Sequence, residues 1–161
     1  MYYGPYTRLF YYLFGFDGDF EIQPQFHIPH LDCGPTEVAA TFTVAYKNQP
    51  VMLLELMGAN SDNDYERKEA DRQIRDHFLS VRHRFVTPRV PAVSAFGTRL
   101  AFYDYVVGTK AITPPAIPVN PAHLTDVAPA EWGSCDLLEA AGFARLRQEV
   151  QGVAQMCKAL G

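Results

Sequence analysis

Two apolar segments joined by a short polar turn restrict the fold of this chain more than any other feature. Val38–Tyr46 and Val51–Met57 are rich in β-branched, aromatic and aliphatic residues, and residues 47–50 between them have the composition of a turn. This pattern is typical of a β-hairpin. The other segments are then assigned as strands that extend this sheet or as helices that cover it.

Apolar residues at helical spacing occur before and after the hairpin. Tyr6–Phe14 is rich in aromatic rings and predicts a short amphipathic helix that ends at Gly15. A second helix with one apolar face is predicted over roughly residues 64–84. Its opposite face carries two charge pairs at i,i+4 spacing, which suit a solvated surface: Asp71 with Arg75 and Arg72 with Asp76.

The remaining segments predict three more strands, a long loop and a final helix. The predicted strands are Phe20–Ile28, Ala92–Ala95 and Leu100–Val107. Gly108–Glu131 is rich in proline and lacks periodicity, so it predicts an ordered loop that crosses the surface. Asp136 and Glu139 have the spacing of a capping box, and the apolar stripe from Phe143 to Leu160 predicts a long helix with one buried face.

Composition is that of an ordinary globular domain. The 161 residues are 48% hydrophobic, which predicts a single domain over 1–161. Fourteen Lys and Arg against 18 Asp and Glu give a net charge of -4, so a nucleic-acid site would have to be local. The three cysteines lack CxxC spacing, and the longest apolar stretch, Leu9–Phe16, is short. We expect an intracellular protein of the cytoplasm or nucleus, with no disulfide framework, signal peptide or membrane span.

The predicted element order is α-β-β-β-α-β-β-α, which predicts an α/β fold with a central mixed β-sheet flanked by helices. Four segments carry a resemblance on this framework: Pro24-Gln25, Val51–Glu55, the helix Arg67–Phe78 and Ser94–Arg99. Together with the element order, they resemble the restriction-endonuclease-like PD-(D/E)XK superfamily, and most of all a divergent, fungal branch of it. The resemblance covers most of the chain, in architecture more than in motif, and implies a restriction-endonuclease-like fold.

The resemblance also implies a particular chemistry. Such a nuclease needs two carboxylates on adjacent strands to hold Mg²⁺ or Mn²⁺, and a lysine that orients or activates the attacking water. Glu55 ends an apolar strand and is the candidate for one carboxylate, as metal ligand and catalytic residue. The Glu-x-Lys position of the family reads Glu55-Leu56-Met57 here, so the lysine is missing.

Counting along the hairpin locates the strand position where the second carboxylate is expected. If residues 47–50 form the loop, Phe42 faces Glu55 and Ala40 faces Met57, and all four lie on one face of the sheet. Neither alanine nor phenylalanine binds a metal. The count therefore predicts a site that lacks its second acid.

Three other residues are candidates to complete a rearranged site around Glu55. Glu37 is the second metal ligand if a bulge or register shift brings it closer than the about 16 Å that the strand spacing predicts. Lys68 could replace the missing catalytic lysine, and Gln73 occupies a helix where some members of the family place a supporting glutamine. The alternatives are a hydrated or arginine-paired Glu55 and a surface role for Gln73.

Two further groups are candidates for binding. The first has metal-ligand side chains but also suits a loop at a strand end: His27, His30, Asp32 and Cys33. The second is the local concentration of basic residues that could contact phosphates, or else form a solvated face: Arg82, Arg84 and Arg89.

Two classes of function follow. The missing lysine and second acid favour a catalytically eroded nuclease-fold module that acts by binding a protein or nucleic-acid partner. The alternative is a divalent-metal-dependent nuclease with a rearranged site around Glu55. The N-terminal helix carries more aromatic surface than one helix face can bury, which predicts a homodimer or partner contact there unless Gly108–Glu131 covers it.

Overall fold

A computed structural model of the chain describes residues 2–16, 18–26, 38–58, 64–116 and 135–161. Within these ranges the chain forms three α-helices, seven strands and one 3₁₀ turn. In chain order they are α1 (Tyr3–Phe14), β1 (Phe20–Phe26), β2 (Val38–Tyr46), β3 (Gln49–Met57), α2 (Asp64–Val81), the 3₁₀ turn (Arg82–Arg84), β4 (Arg89–Phe96), β5 (Arg99–Val106), β6 (Ala111–Thr113), β7 (Cys135–Asp136) and α3 (Ala140–Ala159).

The strands form one open, mixed sheet. Its order is β1-β2-β3-β4-β5-β6, and β7 pairs with the end of β5 that β6 leaves uncovered. Only β3 and β4 are parallel among the described pairs. A parallel pair needs a crossover connection, and α2 lies in the connection between these two strands. The predicted α/β class with a central mixed sheet is confirmed.

Helices cover both faces of the sheet. Successive strand residues point to opposite faces, so Leu54 and Leu56 lie on one side of β3 and Leu53 and Met57 on the other. The first side forms a large core with apolar residues of α1 and α3, among them Phe10, Leu146 and Val153. The second side packs against Ala70, Ile74 and Phe78 of α2. Each helix therefore contributes a distinct apolar stripe, as its periodicity predicted.

The β2–β3 hairpin has a tighter turn than the sequence predicted. Lys47 and Asn48 alone form it, with φ of 47° and 63°, which is the backbone of a two-residue I′ connection. Tyr46 therefore pairs with Gln49, and an irregularity between Val44 and Ala45 then changes the register. The predicted four-residue loop was wrong.

This register corrects the predicted face of the sheet. Thr41 faces Glu55, whereas Phe42 faces Leu54. Because a shift of one residue moves side chains to the opposite face, Phe42 and Ala40 belong to the core under α1 and α3. Of the three residues predicted to share the face of Glu55, Met57 alone does so. The predicted grouping of Ala40 and Phe42 with Glu55 was wrong.

Other differences concern the second half of the chain. The capping box was wrong: Asp136 lies in β7, where its carboxylate accepts from the Leu138 amide, and α3 begins at Ala140 with no side-chain cap from Glu139. The short strands β6 and β7 were not predicted, since two or three residues give no detectable alternation. Residues 117–131 of the predicted crossing loop lie outside the described residues.

We predict that Gly142→Ala lowers the free energy of unfolding by about 2–3 kcal/mol, because the site cannot accept a methyl group. An ideal Cβ at Gly142 would lie 1.8 Å from the carbonyl oxygen of Asp136, so α3 and β7 would have to separate. Gly4 in α1 is the matched control, because a Cβ there meets nothing within 4 Å. Gly4→Ala should leave stability unchanged or raise it by up to about 1 kcal/mol in urea denaturation. Equal effects of the two substitutions would contradict this packing.

Candidate functional site

Glu55 is the charged group around which the candidate site is built. It lies within β3, on the face covered by α2, and only 3% of its surface is exposed. Its neighbours on the adjacent strands are Thr41 of β2 and Ser94 of β4, both buried. A row of polar side chains therefore crosses three strands in the middle of an otherwise apolar sheet face.

His77 of α2 pairs with this carboxylate. Its Nδ1 lies 2.9 Å from Oε1 of Glu55, and its side chain is largely buried. A buried carboxylate is costly unless it is paired and hydrogen-bonded. His77 is the partner of Glu55 that the sequence did not identify. An arginine or water was the alternative to a metal as the partner of Glu55; the structure has a histidine.

The position of His77 on the helix was the sequence signal that could have identified it as a site residue. His77 follows Ile74 by three residues and Ala70 by seven, which places it on the apolar stripe of α2. A polar residue on such a stripe must find a partner on the surface that the stripe covers. The partner could not be chosen without knowing which strand α2 covers.

An ion pair within α2 lies beside the hydrogen-bonded pair of Glu55 and His77. The guanidinium of Arg75 donates to both carboxylate oxygens of Asp71, at 2.8 and 2.9 Å, and also to the carbonyl of Pro114. Both side chains are nearly buried, so the prediction that this pair lies on a solvated surface was wrong. The Arg72–Asp76 pair, in contrast, is exposed as predicted.

Tyr103 of β5 joins these two pairs. Its ring lies under the Arg75 guanidinium, 5.7 Å from the ring centre. Burial, together with the charges of Asp71 and Glu55, raises the pKa of the Tyr103 hydroxyl. This tyrosine therefore stays protonated and acts as a neutral hydrogen-bonding group.

The predicted catalytic residues of α2 lie along this helix from His77. Gln73 precedes His77 by one turn, and its amide donates to Glu69 Oε1 at 3.2 Å. Lys68 is exposed and precedes His77 by nine residues, about 13 Å along a helix. Glu37 lies outside the described residues, as do His27, His30, Asp32 and Cys33. Their assigned roles stay predictions.

The described residues do not fit the two-carboxylate metal site that the resemblance implies. Thr41 and Ser94 flank Glu55 where a second acid would be expected, and one oxygen of Glu55 is bonded to His77. Within the described ranges, no three His, Cys, Asp or Glu side chains are grouped so that they could hold a metal ion. The described part of the site is a hydrogen-bonded acid–imidazole pair with hydroxyl neighbours.

The predicted phosphate-binding arginines divide into two kinds. Arg82 and Arg84 are exposed on the 3₁₀ turn, and Arg84 donates to the carbonyl of Asn48 in the β2–β3 turn. Arg89 instead pairs with Asp104 of β5 and with Glu149 of α3 at 2.9 Å. The prediction for phosphate contacts therefore rests on Arg82 and Arg84.

The Arg89 group is a tightly packed ion-pair network. Burial raises the pKa of the Asp104 carboxyl, although the nearby Arg89 charge opposes this shift. A Cβ added at Gly152 of α3 would lie 3.1 Å from Nη2 of Arg89. The guanidinium thus fills the space that the missing side chain of Gly152 leaves.

Cys157 is buried in the core between the sheet and α3. Burial raises its pKa to about 11, which leaves it protonated and unreactive near neutral pH.

No family model, curated protein or solved structure matches the chain. In the part of the chain that the structure describes, none of the helices has the length and apolar character needed to cross a membrane.

We predict that His77→Leu lowers the free energy of unfolding by about 2–3 kcal/mol, because it leaves the Glu55 carboxylate buried without its partner. The double variant Glu55→Leu/His77→Leu should be more stable than His77→Leu alone, since it removes the buried carboxylate together with its partner. Both can be measured by urea denaturation.

The matched control is His83→Leu, at an exposed histidine just beyond α2. It should change stability by no more than about 0.5 kcal/mol. Additive losses in the double variant would contradict a pairing between Glu55 and His77.

Proposed function

We propose that this protein is a catalytically eroded PD-(D/E)XK nuclease-fold module that acts by binding a partner. The observation that carries the proposal is the surroundings of Glu55. This is the carboxylate that the resemblance assigns to a catalytic metal, and one of its oxygens is bonded to His77. Its strand neighbours are hydroxyl residues, Thr41 and Ser94.

The absence of the family's lysine supports the same proposal. Met57 takes its place and packs in a small apolar cluster with Ala70 and Phe96. A lysine there would bring a charge into that cluster, whose members are almost completely buried. Met57 therefore contributes to apolar packing at the position where a nuclease of this family would carry its catalytic lysine.

A protein partner fits the surface charge better than nucleic acid. The chain has a net charge of -4, and one of its three candidate phosphate contacts, Arg89, already pairs with two carboxylates. Arg84 donates to the chain's own Asn48 carbonyl. Electrostatic attraction to a polyanion would therefore depend on few side chains.

The aromatic surface of α1 is the candidate contact. Tyr6, Phe10 and Phe14 are buried in the core, so part of the aromatic surface is used within the monomer. Tyr12 and Phe16 remain 65% and 76% exposed, and the Phe16 ring stacks on Tyr11. Exposed aromatic residues are enriched among the anchors of protein interfaces, and we propose that this surface mediates homodimerisation.

For the lost catalysis, we predict no cleavage of plasmid or single-stranded DNA in the presence of Mg²⁺ or Mn²⁺. Titration calorimetry should likewise detect no binding of either metal, because the described residues supply one carboxylate where two are needed. Glu55→Gln is the control variant, since it keeps the shape of the side chain and its ability to accept a hydrogen bond.

Cleavage by the native protein that disappears in Glu55→Gln would identify an active nuclease and overturn the proposal. Cleavage that is equal in both proteins would instead indicate a contaminating nuclease. Metal binding that depends on Glu37 would support the rearranged nuclease site.

For the partner surface, we predict that the protein forms a concentration-dependent dimer, measured by size-exclusion chromatography with light scattering. Tyr12→Ser and Phe16→Ser should shift it to the monomer, because each removes an exposed aromatic group, Tyr12 on α1 and Phe16 just after it. Tyr65→Ser is the matched control: Tyr65 on α2 is 69% exposed and lies outside this surface.

A monomer at every concentration would contradict the homodimer. Binding of DNA or RNA that is lost in Arg82→Ala/Arg84→Ala would instead identify nucleic acid as the partner. Equal dimerisation of all variants would place the interface elsewhere.

A further inference from the structure

Two buried polar atoms on neighbouring strands have no hydrogen-bond partner among the described residues. They are Oε2 of Glu55 and Oγ of Ser94. The two residues are partners in the parallel β3–β4 pair and lie on the face that α2 covers. Glu55 is 3% exposed and Ser94 is completely buried.

The surroundings of this pair are apolar along both strands. Leu53 and Ala92 lie on one side of it, in the cluster that contains Ile74 and Phe78. Met57 and Phe96 lie on the other side, in the cluster that contains Ala70. The polar pair thus separates two clusters of one sheet face. No described side chain of either cluster, including the hydroxyl of Tyr103, is hydrogen-bonded to Glu55 Oε2 or Ser94 Oγ.

The side chains beside the pair are small. Across the sheet from Ser94 the next residue is Ala101 of β5, and Ala70 is among the residues with which α2 covers this face. Along this row across the sheet the side chains become smaller, from glutamate on β3 to serine on β4 and alanine on β5. The side chains therefore fill less volume at β4 and β5 than at β3. A small polar molecule held under α2 would therefore be expected beside β4 and β5.

We propose that one water molecule is bound between Glu55 Oε2 and Ser94 Oγ. A water can donate to the carboxylate while it accepts from, or donates to, the hydroxyl. Buried waters occur where otherwise unsatisfied polar groups converge. With this water, one oxygen of Glu55 is bonded to His77 and the other to the water, so each oxygen of the buried carboxylate has a hydrogen-bond partner.

The site does not depend on any partner or on the loss of catalysis. It is a consequence of placing a carboxylate beside a serine in the parallel pair. Its experimental outcomes can therefore be separated from those of the proposed function.

The test is to solve crystal structures of the full native chain and of its Ser94→Ala and Ser80→Ala variants at a resolution that shows ordered water. We expect density for one water within hydrogen-bond distance of both atoms in the native protein. It should be lost or displaced in Ser94→Ala. Ser80→Ala should retain it, because Ser80 is an exposed serine whose hydroxyl bonds only the His77 carbonyl among the described residues.

Three outcomes would overturn the proposal. In one, Ser94 Oγ donates directly to Glu55 Oε2 and no density lies between them. In another, Ser94→Ala retains the water, which would show that the hydroxyl does not hold it. In the third, the density has several oxygen ligands at metal distances; this would refute the lost catalysis as well, whereas the first two leave that proposal untouched.

If crystals of the variant do not form, water–amide nuclear Overhauser effects give the same information in solution. A long-lived water should contact the amide protons of Glu55 and Ser94 in native protein and Ser80→Ala, and should be lost in Ser94→Ala. Its absence from native protein would overturn the proposal.

Discussion

The parallel pairing of β3 with β4 is the constraint on which the rest of the structure depends. Two strands that run in the same direction cannot be joined by a tight turn, so the chain must cross the sheet between them. The connection contains α2, which therefore lies on the face that carries Glu55 and Ser94. The position of His77 over Glu55 follows from this connection. The remaining helices, α1 and α3, share the opposite face.

The overall fold was largely predictable because its main elements have strong periodic patterns. The apolar stripes of α2 and α3 and the segments of the hairpin gave the correct types and approximate positions. The register of the β2–β3 hairpin could not be predicted in the same way, because it depends on whether Lys47 and Asn48 alone form the turn with positive φ. A turn of two residues rather than four, together with the irregularities that follow it, exchanges the faces of Phe42 and Thr41 relative to Glu55.

The candidate site was predictable only in part, for a related reason. Glu55 could be identified from the sequence because a charge within an apolar strand requires a partner. His77 could be identified as unusual from its helix position, but the pair depends on a contact between residues 22 positions apart. Asp71 and Arg75 have the spacing of a surface pair, and only the packing of α2 against Tyr103 shows that they are buried. The spacing in the sequence shows which residues can pair, but it does not show how deeply the pair is buried.

The two glycines of α3 have a mechanical consequence. Gly142 lies against the backbone of β7, and Gly152 lies under the Arg89 guanidinium. These contact points are about 15 Å apart along the helix and roughly 80° apart around its axis. A helix held at one point can still rotate about its axis or slide along it. Two contacts that differ in position both along the axis and around it oppose both motions. The two glycines therefore fix both the height and the rotation of α3 against the sheet.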